Sequence, residues 1–285
     1  MPAAKEVSIE RVTVVAAVAA ASGRAGSSTL ERRPQQDRIV VEAPLGVTAR
    51  GQRVLTLMRT PGHDLELIAG LLHAEALPPA TVTTVTAVAR GPGEPTGGAS
   101  LSGDDLVDVD LDPALFAPRA LASVAACGVC GRQTIADLER VARSVTGDFT
   151  VAAEVLRGLP ATLRRAQEVF DDTGGLHAAA LATAAGELRV VREDVGRHNA
   201  VDKVVGWALT AGAADVPASQ HVLLVSGRLG YEIVQKAIRF GCPVIAAVSA
   251  PSSLAVELAE RFGVALCGFV RGDRFNIYSH AWRIA

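Results

Sequence analysis

Three apolar runs separated by two amphipathic stretches constrain this chain more than any other feature. "HVLLVSG" (221–227), "PVIAAVSA" (243–250) and "VALCGFV" (264–270) have the length and composition of strands buried on both faces. Between them, "YEIVQKAIRFG" (231–241) and "SLAVELAERFG" (253–263) carry apolar residues at helical spacing, and each stops at a glycine. A strand–helix–strand–helix–strand order argues for right-handed parallel crossovers, with helices covering the sheet. Upstream, "NAVDKVVGWALTAG" (199–212) predicts a helix stopped by Gly212. "LHAAALAT" (176–183) and "ELRVVRED" (187–194) predict strands joined by a glycine turn, and "LPATLRRAQEVFDDTGG" (159–175) predicts one helix ending in a glycine pair. This half of the chain reads as α/β.

The first half is less regular. "RIVVEAPLGVTARGQRVLTLMRTPG" (38–62) predicts two or three short strands, and "HDLELIAGLLHAEAL" (63–77) a helix opened by Asp64. "AASGRAGSSTLERRPQQD" (20–37) reads as a loop or poorly ordered arm, and alternation in "SIERVTVV" (8–15) fits an edge strand. A long Gly- and Pro-rich surface excursion at 89–105 precedes a strand-like "LVDVDLD". "VTVVAAVAAASG" (12–23) has the small-residue end of a signal peptide, but Glu6 and Glu10 stand where a basic segment belongs, and no apolar run reaches the ~18 residues of a membrane span. Four cysteines are too few to staple a secreted scaffold, so a cytoplasmic protein is expected. A net charge of −2 gives no reason to expect a nucleic-acid partner.

In open α/β sheets, ligands bind beyond the carboxyl ends of the strands. Four such ends are readable here: "REDVGRHN" (192–199), "SGR" (226–228), "SAPSS" (249–253) and "RGDRFN" (271–276). Arg192, Arg197, Arg228, Arg271 and Arg274 are expected to converge on one anionic ligand, helped by helix N-termini. Ser226, Ser249 and Ser252 would add hydroxyl contacts or helix caps, and Asp273 could read the donor edge of a guanine. The plain alternative is a set of turns whose arginines pair with Glu193, Asp194 and Asp273. No "GxxxxGK" or "GxGxxG" is present, which argues against a generic ATPase or dehydrogenase. No acid–base role is assigned to His177 or His198.

"SVAACGVCGRQTIADL" (123–138) places Cys127 and Cys130 three positions apart. Zinc would need a second close pair of ligands, and Cys242 and Cys267 read as inert core residues. A thiol–disulfide enzyme could use the pair, with Arg132 and the following helix favouring a thiolate. A persulfide carrier could use it equally, because a thiolate can take the terminal sulfur of a donor persulfide and hand it on.

The series "EAPLGV" (42–47), "LMRTPGHDLELIAGLLHAE" (57–75), "CGVCGRQTI" (127–135), "FDDTGGLHAAAL" (170–181), "REDVGRHNAVDKVVGWAL" (192–209) and the whole stretch 226–279 resembles the formate dehydrogenase accessory sulfurtransferase family, FdhD. The resemblance implies a carrier that accepts sulfur from a cysteine desulfurase as a cysteine persulfide. It then delivers the sulfur to Mo-bis-molybdopterin guanine dinucleotide for formate dehydrogenase or a similar molybdoenzyme. It implies catalytic Cys127 with Cys130 beside it, and a cofactor-binding stretch of Phe269, Val270, Arg271, Gly272, Asp273 and Arg274. Asn276, Ser226, Gly227, Arg228, Ser249, Arg197, His198 and Asn199 complete the expected cofactor site. The chain departs from the family pattern at Ala43, at "AEAL" (74–77) and at Gly230, where serine is common.

The family likeness also implies a cytidine-deaminase-like layered sheet with helices on its faces, preceded by a smaller β-rich N-terminal part, and a homodimer. The deaminase motif "HxE…PCxxC" is absent, so neither deamination nor a resident metal is expected. The expected parts are an N-terminal strand and arm (1–37), a smaller α+β part (38–122), the CxxC loop and helix (123–149) and an α/β cofactor-binding part (150–285).

Overall fold

A computed structural model describes residues 2–15, 29–78, 80–85, 105–116, 142–210 and 216–285. Cys127, Cys130, the helix expected after them, the excursion at 89–104 and Gly212 lie outside the described residues. Strand β1 (Ala4–Val15) pairs antiparallel with β2 (Thr29–Val40) as a separate two-stranded ribbon. This corrects the loop reading of 20–37 from position 29 onward. Polar, charged residues with little apolar content hid a strand whose partner, β1, supplies the backbone hydrogen bonds.

Strands β3 (Ala43–Ala49), β4 (Gln52–Arg59), β5 (Val82–Val85) and β6 (Asp105–Val109) form a four-stranded sheet in the order β4-β3-β6-β5. Helix α1 (Asp64–Ala74) packs Leu67, Ile68, Leu71 and Leu72 against Leu45, Val47, Val107 and Val109 of that sheet. The helix expected at 159–175 is in fact two, α2 (Ala153–Arg165) and α3 (Glu168–Thr173), the second ending at left-handed Gly174. Pro160 lies inside α2, where a sequence reading takes proline as a helix start.

The second half is a six-stranded sheet of β7 (His177–Ala182), β8 (Leu188–Asp194), β9 (Val222–Val225), β10 (Val244–Ala247), β11 (Ala265–Arg271) and β12 (Arg274–Ser279). Its order is β12-β11-β10-β9-β7-β8. β9, β10 and β11 are parallel, as the apolar runs predicted, while β7 runs antiparallel to both β8 and β9. Alternate residues face opposite sides. Leu223, Val225, Ile245, Ala247 and Leu266 meet helices α4 (Arg197–Thr210), α5 (Tyr231–Phe240) and α6 (Ser253–Phe262). Val222, Leu224, Val244, Ala246 and Ala265 meet α2. Among the described residues no helix is long and apolar enough to cross a membrane.

Helix α1 joins the two sheets because two glycines let backbones touch. A Cβ on Gly70 would overlap the carbonyl oxygen of Asp202, and one on Gly206 would overlap that of Glu66. Around this seam the charges are paired. Arg192 grips Glu66 with both ends of its guanidinium, at 2.6 and 2.7 Å. Lys203 Nζ, buried in α4, lies 2.7 Å from Asp194, whose carboxylate also accepts from the Thr60 and Gly196 N–H groups and the Asn199 amide. Lys236 of α5 holds Asp202 of α4 at 2.7 Å. Burial pushes the Asp202 carboxyl up, against the opposing pull of Lys236.

Candidate functional site

The topology brings the carboxyl ends of β8, β9, β10 and β11 to one edge of the sheet, together with the first residues of β7 and β12. Hydrogen bonds join the loops there in series. Leu229 N–H donates to the Ala250 carbonyl at 3.1 Å, and Ser252 N–H donates back to the Leu229 carbonyl at 2.9 Å. Phe269 N–H then donates to the Ser249 carbonyl at 3.1 Å. At the other end, the place a Cβ of Gly227 would take lies 3.4 Å from His177 Nδ1 and 3.6 Å from Arg197 Cδ. One continuous rim therefore runs from His177 and Arg197 through 226–230 and 249–252 to 268–274.

The rim divides the expected site residues into two groups. The first group is committed to the fold. Arg192 belongs to Glu66, which corrects its placement among the ligand arginines. Asn199 donates its amide to the Met58 carbonyl and to Asp194, each at 2.9 Å. The Ser226 hydroxyl accepts from Ala178 N–H, and Ser252 caps α6 by accepting from Ala255 N–H. Asp194 and Glu193 pair with Lys203 and with the backbone N–H groups of Val169 and Phe170, so neither neutralises the rim arginines.

The second group is open. Arg197 Nε and His198 Nε2 are buried and make no hydrogen bond, although His198 is only 8% exposed. A buried polar atom without a partner carries a desolvation cost that a bound polar ligand would remove. Both sit in the first turn of α4, where the helix end favours an anion. His198 Nε2 lies 3.5 Å from Glu232 Oε2 in the first turn of α5. The His198 imidazole, acting against burial, holds the Glu232 carboxyl below the ordinary carboxylate range. Arg228, Arg271, Asp273 and Arg274 are exposed, with the Arg271 guanidinium 5.7 Å from the Phe269 ring.

The stretch Phe269–Arg274 has its own geometry. Gly268 touches the 249–251 loop, since a Cβ there would come 2.9 Å from Pro251 Cδ. The pairing of β11 with β12 shifts register between Gly268 and Arg271, and Phe269 takes the left-handed region at φ 53°. An aromatic residue in that region is strained by about 1–3 kcal/mol. The bulge turns the Gly272–Asp273 hairpin tip outward, with left-handed Gly272 at φ 61°. Val270 instead points inward and is fully buried, so it supports the bulge from behind.

Two rim residues had no role in the sequence reading. His177 comes to this edge because β7 is antiparallel, an insertion that apolar runs alone do not reveal. Glu232 could be found from its spacing to Lys236, which sets both on the face of α5 that meets His198 and Asp202. The two cysteines in the core are inert, as expected: burial pushes the Cys242 and Cys267 thiols up to about 12.

The model of the FdhD/NarQ family matches residues 40–285. The chain belongs to the FdhD/NarQ family. It is 46% identical over 253 residues to a sulfur carrier protein FdhD of Nocardia farcinica, covering 88% of this chain and 89% of that one. It is 45% identical over 258 residues to the protein of that name in Mycobacterium tuberculosis, covering 87% and 92%. The FdhD of Sulfurisphaera tokodaii is 43% identical over 254 residues, covering 88% and 92%. A crystal structure from Desulfotalea psychrophila, described as a formate dehydrogenase accessory protein, superposes with a TM-score of 0.68. It covers 98% of this chain and 99% of its own at 23% identity, which speaks for the fold.

Proposed function

We propose that this FdhD-family chain is a sulfur carrier for formate dehydrogenase maturation. Cys127 accepts sulfur from a cysteine desulfurase as a persulfide. The carboxyl edge of the sheet holds the acceptor, Mo-bis-molybdopterin guanine dinucleotide. The observation that carries the reading is the contrast among the chain's four cysteines. Two are buried with thiols at about 12, which leaves the pair in "CGVCG" for thiolate chemistry.

In the first step the Cys127 thiolate attacks the terminal sulfur of the donor's persulfide. The S–S bond of the donor breaks, its cysteine leaves as a thiolate, and Cys127 carries the extra sulfur. The buried Arg197 Nε, with no acceptor, and His198 Nε2, with only the 3.5 Å approach of Glu232, support the acceptor site, because a pyrophosphate supplies well-placed acceptor oxygens. Arg228, Arg271 and Arg274 add positive charge along the rim, and the exposed Asp273 at the hairpin tip suits the donor edge of guanine. A sheet whose β7 runs against its parallel neighbours, with helices on both faces, supports the cytidine-deaminase-like reading. The same reading takes the protein as a cytoplasmic homodimer that meets the desulfurase and the molybdoenzyme in turn.

Intact-protein mass spectrometry after incubation with a cysteine desulfurase and cysteine tests the first step. Wild type gains one sulfur that reductant removes, and Cys127→Ala gains none. A loss of two hydrogens instead would make the pair a disulfide switch. No change at all with an active desulfurase would leave a cofactor-binding chaperone.

A further inference from the structure

His177 stands at the inner end of the rim. It opens β7 directly opposite Asp194 of β8, and its Nδ1 faces Gly227 in the loop after β9. Among the described residues nothing hydrogen-bonds its ring. The groups around it come from four elements: Asp194 from β8, already bound to Lys203; Arg197 and His198 from α4; Arg228 after β9; and Glu232 from α5, through His198. The imidazole thus sits where Arg197, His198 and Arg228 outweigh the one carboxylate that faces it, Asp194, and beside the buried Arg197 Nε, which has no acceptor.

We propose that His177 is a ligand-contacting residue of this site, and that it binds the pyrophosphate of a guanine nucleotide as an imidazolium, so that binding takes up a proton. The inference rests on the acceptor-site reading above and deepens it by naming the group that reads the phosphate charge. Burial, and then Arg197, His198 and Arg228, hold the empty-site imidazole below its ordinary value, against the pull of Asp194. His177 is therefore neutral near pH 7 before the ligand arrives. An anion placed among these cations offsets their repulsion and favours the protonated ring. The proton comes from solvent, no covalent bond changes, and Nδ1 or Nε2 becomes a charged donor to a phosphate oxygen.

The test is calorimetric titration of guanosine diphosphate into the full chain and into His177→Gln, in buffers of differing ionisation enthalpy near pH 7. The difference between the two proton counts belongs to His177, whatever the phosphate itself titrates. Wild type is expected to take up close to one proton more than the variant, and to bind about tenfold more tightly than it at pH 6. Proton NMR of the His177 ring in wild type, which depends on no variant folding, is expected to titrate at higher pH with the nucleotide bound than without. Binding with equal proton counts and an unmoved ring titration overturns the His177 assignment and leaves the site standing. No binding to wild type overturns the site reading, and this inference with it.

Discussion

The seam between α1 and α4 and the carboxyl edge of the central sheet both concentrate charge, and they treat it in opposite ways. At the seam every buried charge has its counterpart within hydrogen-bond reach: Lys203 with Asp194, Lys236 with Asp202, Arg192 with Glu66. At the edge, between one and two helical turns away on the same helix, the buried Arg197 Nε meets no acceptor, and His198 Nε2 has only the long 3.5 Å approach of Glu232 Oε2. A fold that can satisfy Lys203 could satisfy Arg197. Leaving the second open is the mark of a place kept for something else, while the first holds the structure.

The comparison breaks most readily at Lys203. Lys203→Ala leaves Asp194, which is fully buried, without its cation, and is expected to cost about 3–5 kcal/mol in urea unfolding. A loss below about 1 kcal/mol would mean that the seam is no better satisfied than the edge. Arg192→Ala tests the seam by pH. Burial alone would raise the Glu66 carboxyl, but Arg192 and then His63 bring it down to about 2 from 4.5. The folded value is depressed, so this pair stabilises the protein above the unfolded value of about 4.5, and that stability fades as pH falls toward 2. The expected contribution at neutral pH is about 2–3 kcal/mol, and in Arg192→Ala the acid slope over that window flattens.

The edge should behave otherwise. Arg197→Gln is expected to change unfolding stability by less than about 0.5 kcal/mol while weakening guanosine diphosphate binding about tenfold or more, read by titration calorimetry. Equal damage to folding and binding would erase the distinction between the two regions. The smallest effect is expected at Gly230, which caps α5 with extended backbone and no side-chain hydrogen bond. Gly230→Ser is expected to add a few tenths of a kcal/mol by capping the helix, since a Cβ there meets only Glu232 Oε2 at 3.5 Å.

Much of this was legible in the sequence. The apolar runs 221–227, 243–250 and 264–270 have the length of buried strands, and their glycine-stopped partners the spacing of covering helices, so the parallel core followed. The edge was legible because parallel strands must end together. What stayed hidden depended on partners distant in sequence. Arg192 looked like a ligand arginine until Glu66, 126 residues away, claimed it. Strand β2 looked like a loop because its polar ribbon is held by pairing with β1 rather than by burial. His177 looked structural because nothing in "LHAAALAT" says that β7 runs against its neighbours.

The measurement that tests the central claim most directly is hydrogen–deuterium exchange of the full chain with and without guanosine diphosphate. The nucleotide is predicted to slow exchange at 195–199, 226–230, 249–252 and 268–274 together, because those loops form one rim. The cleft at the opposite end of the sheet, between Asp148, Arg189 and Gln220, should be unaffected. Protection confined to that cleft, with the rim unchanged, would contradict the assignment of the carboxyl edge as the site.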